Sequence, residues 1–413
     1  MIEIHPRVRF KGFSGEWEQR KLGEVTTKIG SGKTPKGGSN IYVESGIPLL
    51  RSQNIYNDCI NYEDVVYITS SIDQNMANSR VEKNDVLLNI TGASIGRSAV
   101  YQSDERANVN QHVCIIRANH DADSMFIQLN ITSSNGQKQI DLNQAGGGRE
   151  GLNFQQISKM SFYYPEKKEQ TQIGSFFKQL DDTIALQQQL VEQQQQYKKA
   201  MLQKMFPQKG ERVPRVRFDG FSGDWEITKL EEIVDRVTRK NSKLESTLPL
   251  TISAQHGLVD QITFFNKQVA SKDVSSYYLL EKGEFAYNKS YSKGFPWGAV
   301  KRLDKYVKGV LSTLYIVFVP KRVNSDFLVS YYDTNRWHKE VSMRAAEGAR
   351  NHGLLNITAK DFFETELKIP STAIEQQKIG AFFKQLDDTI ALHQKKLEDY
   401  QQLKKALLQC MFV

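Results

Sequence analysis

Two segments of this 413-residue chain occur twice, and this duplication constrains its fold more than any other feature. The segment PRVRFKGFSGEWEQRKLGEV (residues 6–25) returns as PRVRFDGFSGDWEITKLEEI (214–233), with 14 of 20 positions identical. The segment at 169–206 returns at 375–412, with 26 of 38 positions identical. Between these borders the two halves do not align. The chain therefore consists of two units whose borders repeat and whose contents differ.

Such a repeat suits a protein that presents two different recognition surfaces on one duplicated scaffold. An enzyme duplicated for catalysis is expected to keep a recognisable site in at least one half. The alternative is an old duplication that drifted. The same drift, however, would also have eroded the nearly identical borders.

Both repeated tails are predicted to be long helices that carry a coiled-coil seam, because their apolar residues follow alternating spacings of three and four. At ~1.5 Å per residue such a helix is roughly 50 Å long. The glutamine-rich run at 187–196 is an alternative candidate for disorder, but Leu190 and Val191 continue the seam and favour a helix. The seam positions are Ile173, Phe177, Leu180, Ile184, Val191, Met201 and Met205, then Ile379, Phe383, Leu386, Ile390, Leu397, Tyr400, Leu407 and Met411.

The two seams are predicted to pair with each other within one chain. The globular segment between them leaves room for the second helix to return antiparallel. Pairing between two chains, which would make a dimer, is the alternative. Polar residues on the seam, Gln187, Gln194 and His393, would set the register of the pair.

The expected fold class is α+β, with two globular domains separated by the paired helices in a pseudo-twofold duplicated chain. Short β-rich runs such as DVLLNI (85–90) and LYIVFV (314–319) are separated by Gly, Asn and Ser clusters. Trp17 and Trp225 are expected to anchor the start of each unit. The predicted segments are a first domain at 1–168, a first spacer helix at 169–206, a linker at 207–213, a second domain at 214–371 and a second spacer helix at 372–413.

Composition excludes several classes of protein. The longest apolar stretch, at 310–320, is too short to span a bilayer, and the first residues lack an apolar signal core. We therefore expect a cytoplasmic protein without membrane contact. The three cysteines lie far apart and show no zinc-type spacing. The formal net charge of +8 is compatible with a polyanionic partner such as nucleic acid.

No catalytic motif is complete. GSGKT at 30–34 lacks the first glycine of a P-loop, which would stand at Thr27. Glu366-Leu-Lys368 resembles half of a magnesium nuclease site, but no Pro-Asp pair precedes it. No Asn-Pro-Pro-aromatic tetrapeptide is present to hold a flipped adenine. We therefore expect no catalytic, cofactor or metal site in this chain.

Polar and basic loops are the better candidates, because Arg suits guanine edges, Asn and Gln suit adenine, and Lys binds phosphate. Residues 1–168 carry 19 basic and 18 acidic groups, and residues 214–371 carry 24 and 19, so the first half cannot depend on net charge for affinity. The DNA-binding candidates of the first half are Lys33, Thr34, Lys36, Arg51, Ser52, Gln53, Asn54, Asn110, Gln111 and His112. Those of the second half are Arg239, Lys240, Asn241, Ser253, Gln255, Lys289, Ser290, Tyr291, Lys293, Arg350, Asn351 and His352.

Several motifs in combination resemble one known family. They are the opening at Trp17 and LGEV (22–25), the stretch from GSGKTPKGG to GIPLLRSQNI, and LLNITGASIGR (87–97). Each half closes on a Leu-Asn pair, a proline and EQ-x2-IG-x-FFKQLDDTI, and the second half also contains KGEFAYNKSYSKG (282–294). Along essentially its whole length the chain resembles the specificity subunit of type I restriction-modification enzymes.

The resemblance implies two target-recognition domains, each of which reads one half of a split, asymmetric site in double-stranded DNA. It implies two modification subunits that carry S-adenosylmethionine and methylate adenine, and restriction subunits that use ATP and magnesium. The paired helices would fix the gap between the half-sites.

Two alternatives of other classes stay open at this point. One is a self-contained nuclease or methyltransferase, which activity of the isolated chain with metal or methyl donor would reveal. The other is a coiled-coil scaffold that binds no DNA. Failure to bind any duplex, even with a modification subunit present, would favour the scaffold.

Overall fold

The protein consists of two compact units, and each contains parts of both repeated tails. In this computed structural model the described residues are 5–144, 151–253, 256–267, 269–291, 294–345 and 355–413. Unit 1 comprises Met1–Gln189 and Lys395–Val413, and unit 2 comprises Leu190–Gln394.

Unit 1 is an α+β unit, and its described residues form ten strands. Its strands are β1 (Glu18–Lys21), β2 (Thr26–Ser31), β3 (Ile47–Leu50), β4 (Val66–Ile68), β5 (Arg80–Val81), β6 (Val86–Asn89), β7 (Ser98–Val100), β8 (Ala107–Val109), β9 (Val113–Ala118) and β10 (Ser161–Tyr164). Its helices are α1 (Ser70–Asn75), α2 (Ser124–Thr132), α3 (Ser134–Gln144), α4 (Phe154–Lys159) and the first part of α5 (Lys167–Lys204).

Unit 2 has the same class of fold. Its strands are β11 (Glu226–Lys229), β12 (Val234–Arg236), β13 (Leu250–Ser253), β14 (Gly257–Asp260), β15 (Tyr278–Glu281), β16 (Phe285–Asn288), β17 (Ala299–Arg302), β18 (Lys308–Leu311), β19 (Ile316–Pro320) and β20 (Glu366–Ile369). Its helices are α6 (Leu230–Ile233), α7 (Gln261–Phe265), α8 (Ser325–Tyr332), α9 (His338–Arg344), α10 (Ala359–Phe363) and most of α11 (Ala373–Met411).

Both units are built on a four-stranded central sheet with the same strand order. The order is β2-β9-β6-β7 in unit 1 and β12-β19-β16-β17 in unit 2. A two-stranded pair, β1 with β10 or β11 with β20, joins the start of each unit to its end. Trp17 and Trp225, which precede these pairs, are both buried, as predicted. The duplication therefore extends into the segments where the two sequences do not align.

The central sheet is buried on both faces, which explains its continuous apolar strands. In β6, Val86 and Leu88 pack in the core that includes α2, whereas Leu87 packs in a second core on the other face. Strand β16 shows the same alternation. The predicted strands at 85–90 and 314–319 are confirmed.

The second layer differs between the units. In unit 1 it is one four-stranded sheet, β4-β3-β8-β5, in which β3 and β8 are parallel. In unit 2 it consists of two pairs, β13 with β14 and β15 with β18. An isolated parallel bridge between Pro249 and Val310 connects these two pairs. The layer that varies in sequence therefore also varies in pairing.

In each unit the end of one long helix lies against the start of the other. In unit 1 the ring of Phe412, after α11, lies 6.1 Å from that of Phe177 on α5. In unit 2 the ring of Phe206, after α5, lies 6.0 Å from that of Phe383 on α11. The helices therefore pair antiparallel within one chain, as predicted, and the glutamine-rich run is helical.

The repeated motif EQ-x2-IG attaches each long helix to its unit. Glu169 is buried and accepts two hydrogen bonds from Arg9, both at 2.6 Å. The next residue, Gln170, accepts a bond of 2.9 Å from the amide of Asp123, the N-cap of α2. A Cβ on Gly174 would lie 2.8 Å from Oδ1 of Asp123, so any other residue would force this neighbour to shift. Unit 2 repeats the arrangement with Arg217, Glu375, Gln376 and Gly380.

Candidate nucleic-acid interface

Three polar segments that are distant in sequence meet in unit 1. The GSGKT loop after β2 approaches the segment after β8 so closely that a Cβ on Gly32 would lie 1.7 Å from the carbonyl oxygen of Val109. The amide of Asn110 donates a 3.1 Å hydrogen bond to the carbonyl of Leu50, which precedes Arg51. The candidates at 33–34, 51–53 and 110–112 therefore form one surface, which we name the unit 1 polar cluster.

A chain of side-chain contacts runs through the unit 1 polar cluster. The hydroxyl of Thr34 donates to Oε1 of Gln111, and the amide nitrogen of Gln111 lies 3.0 Å from Nε2 of His112. Nδ1 of His112 in turn lies 2.6 Å from the hydroxyl of Thr91. Thr34 and Gln111 are exposed, as is Lys33 beside them. These contacts fix the directions of groups that can donate to and accept from a base edge.

The segment after β3 contributes both exposed and structural residues. Nη2 of Arg51 donates a 2.6 Å bond to the carbonyl of Asp64, and Gln53 is exposed. Asn54 is buried, accepts a bond from the amide of Arg51 and donates to the carbonyl of Asn61. Because its amide is occupied by backbone groups, we leave Asn54 out of the proposed surface. Ser52 is half-buried and supplies its carbonyl to another side chain.

The other two first-half candidates differ in exposure. Lys36 is exposed at the end of the GSGKT loop. Asn110 is 8% exposed, and its Oδ1 accepts a 3.1 Å bond from the amide of His112. Asn110 therefore shapes the loop that presents Gln111 and His112.

Sequence reasoning missed three residues beside the unit 1 polar cluster. The guanidinium of Arg97 lies 5.5 Å from the ring centre of Tyr56, and both side chains are exposed. The hydroxyl of Thr91 contacts the ring of His112. Thr91 and Arg97 both lie in LLNITGASIGR, which the family resemblance had already singled out. An exposed arginine within that motif was the available signal.

In unit 2 the first group of candidates surrounds the start of β15. The ammonium of Lys240 lies 4.3 Å from the ring centre of Tyr278, a cation–π contact that sequence reasoning missed. Arg239 binds the carboxylate of Glu284 at 2.9 Å, so it is held by the turn before β16. Asn241 is completely buried and donates to the carbonyl of Ser246. We therefore leave Asn241, like Asn54, out of the proposed surface.

The second group of candidates in unit 2 lies elsewhere. Lys289, Ser290 and Tyr291 follow β16, at the end of the strand opposite to Arg239 and Glu284. Lys289 and Ser290 are half-buried and Tyr291 is exposed. Ser253, at the end of β13, is 8% exposed and accepts a bond from the amide of His256. Five candidates lie outside the described residues: Gln255, Lys293, Arg350, Asn351 and His352.

The described residues also show where the nuclease-like pair lies and bear on a metal site and a membrane span. Glu366 and Lys368 lie on β20, and Lys368 donates a 2.5 Å bond to the carbonyl of Glu211. Among the described residues, no three His, Cys, Asp or Glu side chains are grouped so that they would hold a metal ion. Within the same part of the chain, every helix is too short or too polar to cross a bilayer.

Comparison with known families identifies what the two units share. The family model described as "Type I restriction modification DNA specificity domain" matches the chain twice, at residues 14–194 and 223–401. The chain belongs to this family. The two matches together cover most of the sequence, one in each repeat, so the family domain is present in two copies.

A curated relative supports the same assignment. The chain is 21% identical over 223 residues to the putative type I restriction enzyme MjaX specificity subunit of Methanocaldococcus jannaschii. The match covers 52% of this chain and 52% of the relative, so the chain spans about half the length of the curated relative it matches.

The chain was also matched to solved structures, one of which shares the fold. The S subunit of a type I restriction-modification system from M. genitalium matches with a TM-score of 0.65 and 13% identity, over 99% of both chains. The HsdS subunit from Thermoanaerobacter tengcongensis matches with a TM-score of 0.45 and 16% identity, over 96% of both chains. The first of these confirms the duplicated α+β fold with two long helices.

Proposed function

We propose that each unit of this type I specificity protein reads one half of a bipartite, asymmetric DNA site. The proposal is carried by one observation. The family domain occurs twice with the same central sheet, while the loops and second layers of the two units differ. Two different surfaces on equivalent frameworks suit two different half-sites in one DNA duplex.

In unit 1 the proposed surface is the polar cluster together with Lys36, Tyr56 and Arg97. Lys33 and Lys36 would bind phosphates, and Gln111 carries both a donor and an acceptor that would suit a base edge. Residues 1–168 carry a net charge of only +1, so selective contacts must outweigh general attraction to the duplex.

In unit 2 we propose two separate contact regions, one formed by Lys240 with Tyr278 and the other by Lys289, Ser290 and Tyr291 after β16. Residues 214–371 carry a net charge of +5, which favours phosphate contacts. Tyr291 is 51% exposed and offers an aromatic face and a hydroxyl. We therefore expect unit 2 to contribute more of the salt-dependent affinity than unit 1.

The proposal assigns the chemistry to partner subunits. Two modification subunits would bind S-adenosylmethionine and methylate adenine, and restriction subunits would use ATP and magnesium. Two copies of one partner suit a frame that occurs twice with nearly the same sequence. The chain itself would direct these reactions without catalysing them, in the cytoplasm where the DNA lies.

Genome-wide mapping of methylated adenine tests the proposal. A strain that carries the modification subunit is compared with and without this gene. We expect a two-part methylated motif with a fixed gap that is present only with the gene. An unchanged methylome, with a modification subunit that is active beside another specificity subunit, would contradict the proposal and favour the scaffold.

A variant in the unit 1 polar cluster tests the surface itself. Gln111→Ala removes a side chain that is fixed by Thr34 and His112, and we expect it to relax one position of one half-site. A lost bidentate base contact corresponds to roughly 1–3 kcal/mol of discrimination. The control is Gln19→Ala on β1, which is also exposed. An identical methylated motif in the Gln111 variant would remove this residue from the surface.

A further inference from the structure

A lysine near the end of each long helix is surrounded by carboxylates. In unit 1, Nζ of Lys404 on α11 lies 2.5 Å from Oδ1 of Asp181 on α5 and 2.6 Å from Oδ2 of Asp58. Only 12% of the Lys404 side chain is exposed. Its ammonium therefore connects three elements within unit 1: both long helices and the loop between β3 and β4.

Unit 2 contains the corresponding arrangement. Nζ of Lys198 on α5 lies 2.6 Å from Oδ1 of Asp387 on α11 and 2.9 Å from Oδ2 of Asp333. Lys301 on β17 adds a second cation, 2.9 Å from Oδ1 of Asp333. Lys198 has 16% of its side chain exposed, so it is nearly as buried as its counterpart.

In each arrangement the helix lysine and one of its two aspartates belong to the repeat, but the other aspartate does not. Lys198 and Lys404 are equivalent positions of the repeated tails, and so are Asp181 and Asp387. The other aspartate comes from unrelated places in the two units. Asp58 lies in the loop between β3 and β4, whereas Asp333 directly follows α8. Two domain sequences that do not align therefore each supply a carboxylate to the equivalent lysine of the repeated helix.

Physical chemistry explains why such a carboxylate is required. A largely desolvated ammonium needs acceptors for its three donors, and a buried charge without partners is costly. In unit 1 the acceptor is itself held in place. The backbone of Asp58 has a positive φ of 67°, its amide donates to the carbonyl of Ser98, and Gln128 donates to Oδ1. The carboxylate is thus fixed by the domain body and directed at the helix.

We propose that Lys404 and Lys198 are positioning residues that fix each recognition domain on the paired helices, and that every such domain must supply a carboxylate to this lysine. The second part predicts which recognition domains can dock on the repeated helices, namely those that supply this carboxylate. The position of the carboxylate within the domain would set the angle at which the domain sits on the helices.

The functional consequence rests on the proposed function. If the units read half-sites, the angle of each domain on its helix pair decides which gap between half-sites is accepted. A domain released from its lysine should tolerate sites with a longer or shorter gap. A general loss of stability would instead lower methylation at all sites alike.

The first experiment measures docking and needs no DNA. The full chain is compared with Lys404→Met, Asp58→Asn and Asp181→Asn by hydrogen exchange and mass spectrometry. Asparagine tolerates a positive φ, so Asp58→Asn removes the charge and keeps the backbone. Lys405→Met is the matched control, because Lys405 is the exposed neighbour of Lys404.

We expect amide exchange in the segment 54–61 to become about tenfold faster in Lys404→Met and Asp58→Asn, a factor that corresponds to ~1.4 kcal/mol. In Asp58→Asn the amides at 395–410 should keep their protection, since Lys404 retains Asp181. Lys404→Arg should restore most of the protection in 54–61, because it restores the charge. Unchanged exchange of 54–61 in both Lys404→Met and Asp58→Asn would overturn the proposal.

The second experiment maps methylated adenine with the same variants. We expect Lys404→Met and Asp58→Asn to methylate sites whose gap differs by one base pair at least about tenfold more often, relative to the native gap, than Lys405→Met does. A wild-type chain that directs no methylation would contradict the proposed function alone. A wild-type chain that directs methylation, with variants that keep its gap preference, would contradict the positioning role.

Discussion

The turn before the central strand is closed by an arginine in both units, but the arginine comes from different places. The turns are equivalent, EKNDVLLN (82–89) and EKGEFAYN (281–288). In unit 1, Asp85 binds Arg117 from β9, at 2.7 and 2.8 Å. In unit 2, Glu284 binds Arg239, which follows β12. The carboxylate stays in the turn, while its cation is taken from whichever element each unit offers.

The lysines on the long helices show the same relation with the charges exchanged. There the cation belongs to the repeat and the carboxylate comes from the insert, Asp58 or Asp333. Both cases teach that one partner of an ion pair keeps an equivalent place in the two units while the other partner comes from a different element in each. Sequence divergence is therefore compatible with an unchanged framework, provided that the missing charge is supplied from somewhere.

The largest effect is expected where both partners belong to the repeat. Arg9→Met should leave the buried Glu169 without its cation, and Arg217→Met should do the same to Glu375. An uncompensated buried carboxylate costs about 3 kcal/mol. We expect similar losses in unit 1 and unit 2. Urea titrations read by limited proteolysis and mass spectrometry report peptides of each unit separately.

Arg7→Met is the control for the first variant, because Arg7 is an exposed residue of the same segment. A large loss in one unit with none in the other would show that the two borders are not energetically equivalent. The two units would then differ in stability even where their sequences are most alike.

Substitution of the glycine near the start of each long helix is expected to destabilise the two units to different extents. A Cβ on Gly380 would lie 2.5 Å from the amide nitrogen of Phe327, whereas one on Gly174 would lie 2.8 Å from the side chains of Asp123 and Met125. Side chains move more easily than backbone. We therefore expect Gly380→Ala to cost about 2 kcal/mol and Gly174→Ala about 1 kcal/mol.

The same urea titrations measure both glycine variants. Alanine is the better helix former, so either variant would be stabilising if the neighbouring helix could move away freely. A stabilised Gly380 variant would show that α8 is not held close to α11.

The turns before β6 and β16 offer a smaller contrast. Gly283 has a positive φ of 93°, and Asn84 at the equivalent position has 72°. A Cβ on Gly283 would meet no atom within 4 Å, so the cost of Gly283→Ala is purely conformational. We expect about 1 kcal/mol for Gly283→Ala and less for Gly283→Asn, because asparagine tolerates this region. Equal losses for the two variants in urea titration would contradict this explanation.

Much of the fold could be predicted because its signals are local or repeated. The spacing of Phe177, Leu180 and Ile184 identified the first helix, and the exact recurrence of its motif identified the second. The common central sheet could not be predicted. Its strands are short and apolar on both faces, so Val86 and Phe285 occupy equivalent positions without any resemblance between their side chains.

The candidate site was predictable only as a set of loops. Glycine-rich and polar residues identified the segments 30–36 and 110–112 as candidates. The contact between these two segments depends on the close approach of Gly32 to Val109. Burial removed Asn54 and Asn241, since an amide in a polar run looks the same whether it binds backbone or DNA. Tyr56 and Arg97 were missed because their contact joins two loops.

The smallest expected effect is a difference in pH dependence. Burial, opposed by Lys404 and reinforced by Asp58, raises the pKa of Asp181 to about 6. Because the ordinary value is about 3.9, folding favours the protonated form of this group. Its contribution to stability is complete below about pH 4 and is lost as the pH rises through about 6. Asp181→Asn should therefore make the stability of unit 1 depend less on pH between 4 and 6.

Unit 2 should respond less to the equivalent change. Burial also raises the pKa of Asp387, but there both Lys198 and Lys301 oppose the shift. We expect Asp181→Asn to reduce the variation of the free energy of unfolding between pH 4 and 6 by about 1 kcal/mol or less, since solvent screens these partly exposed groups. Asp387→Asn should reduce it by a smaller amount. Urea titrations at pH 4, 5, 6 and 7 measure both. Equal changes in slope for the two variants would show that the second cation of unit 2 has no effect on its carboxylates.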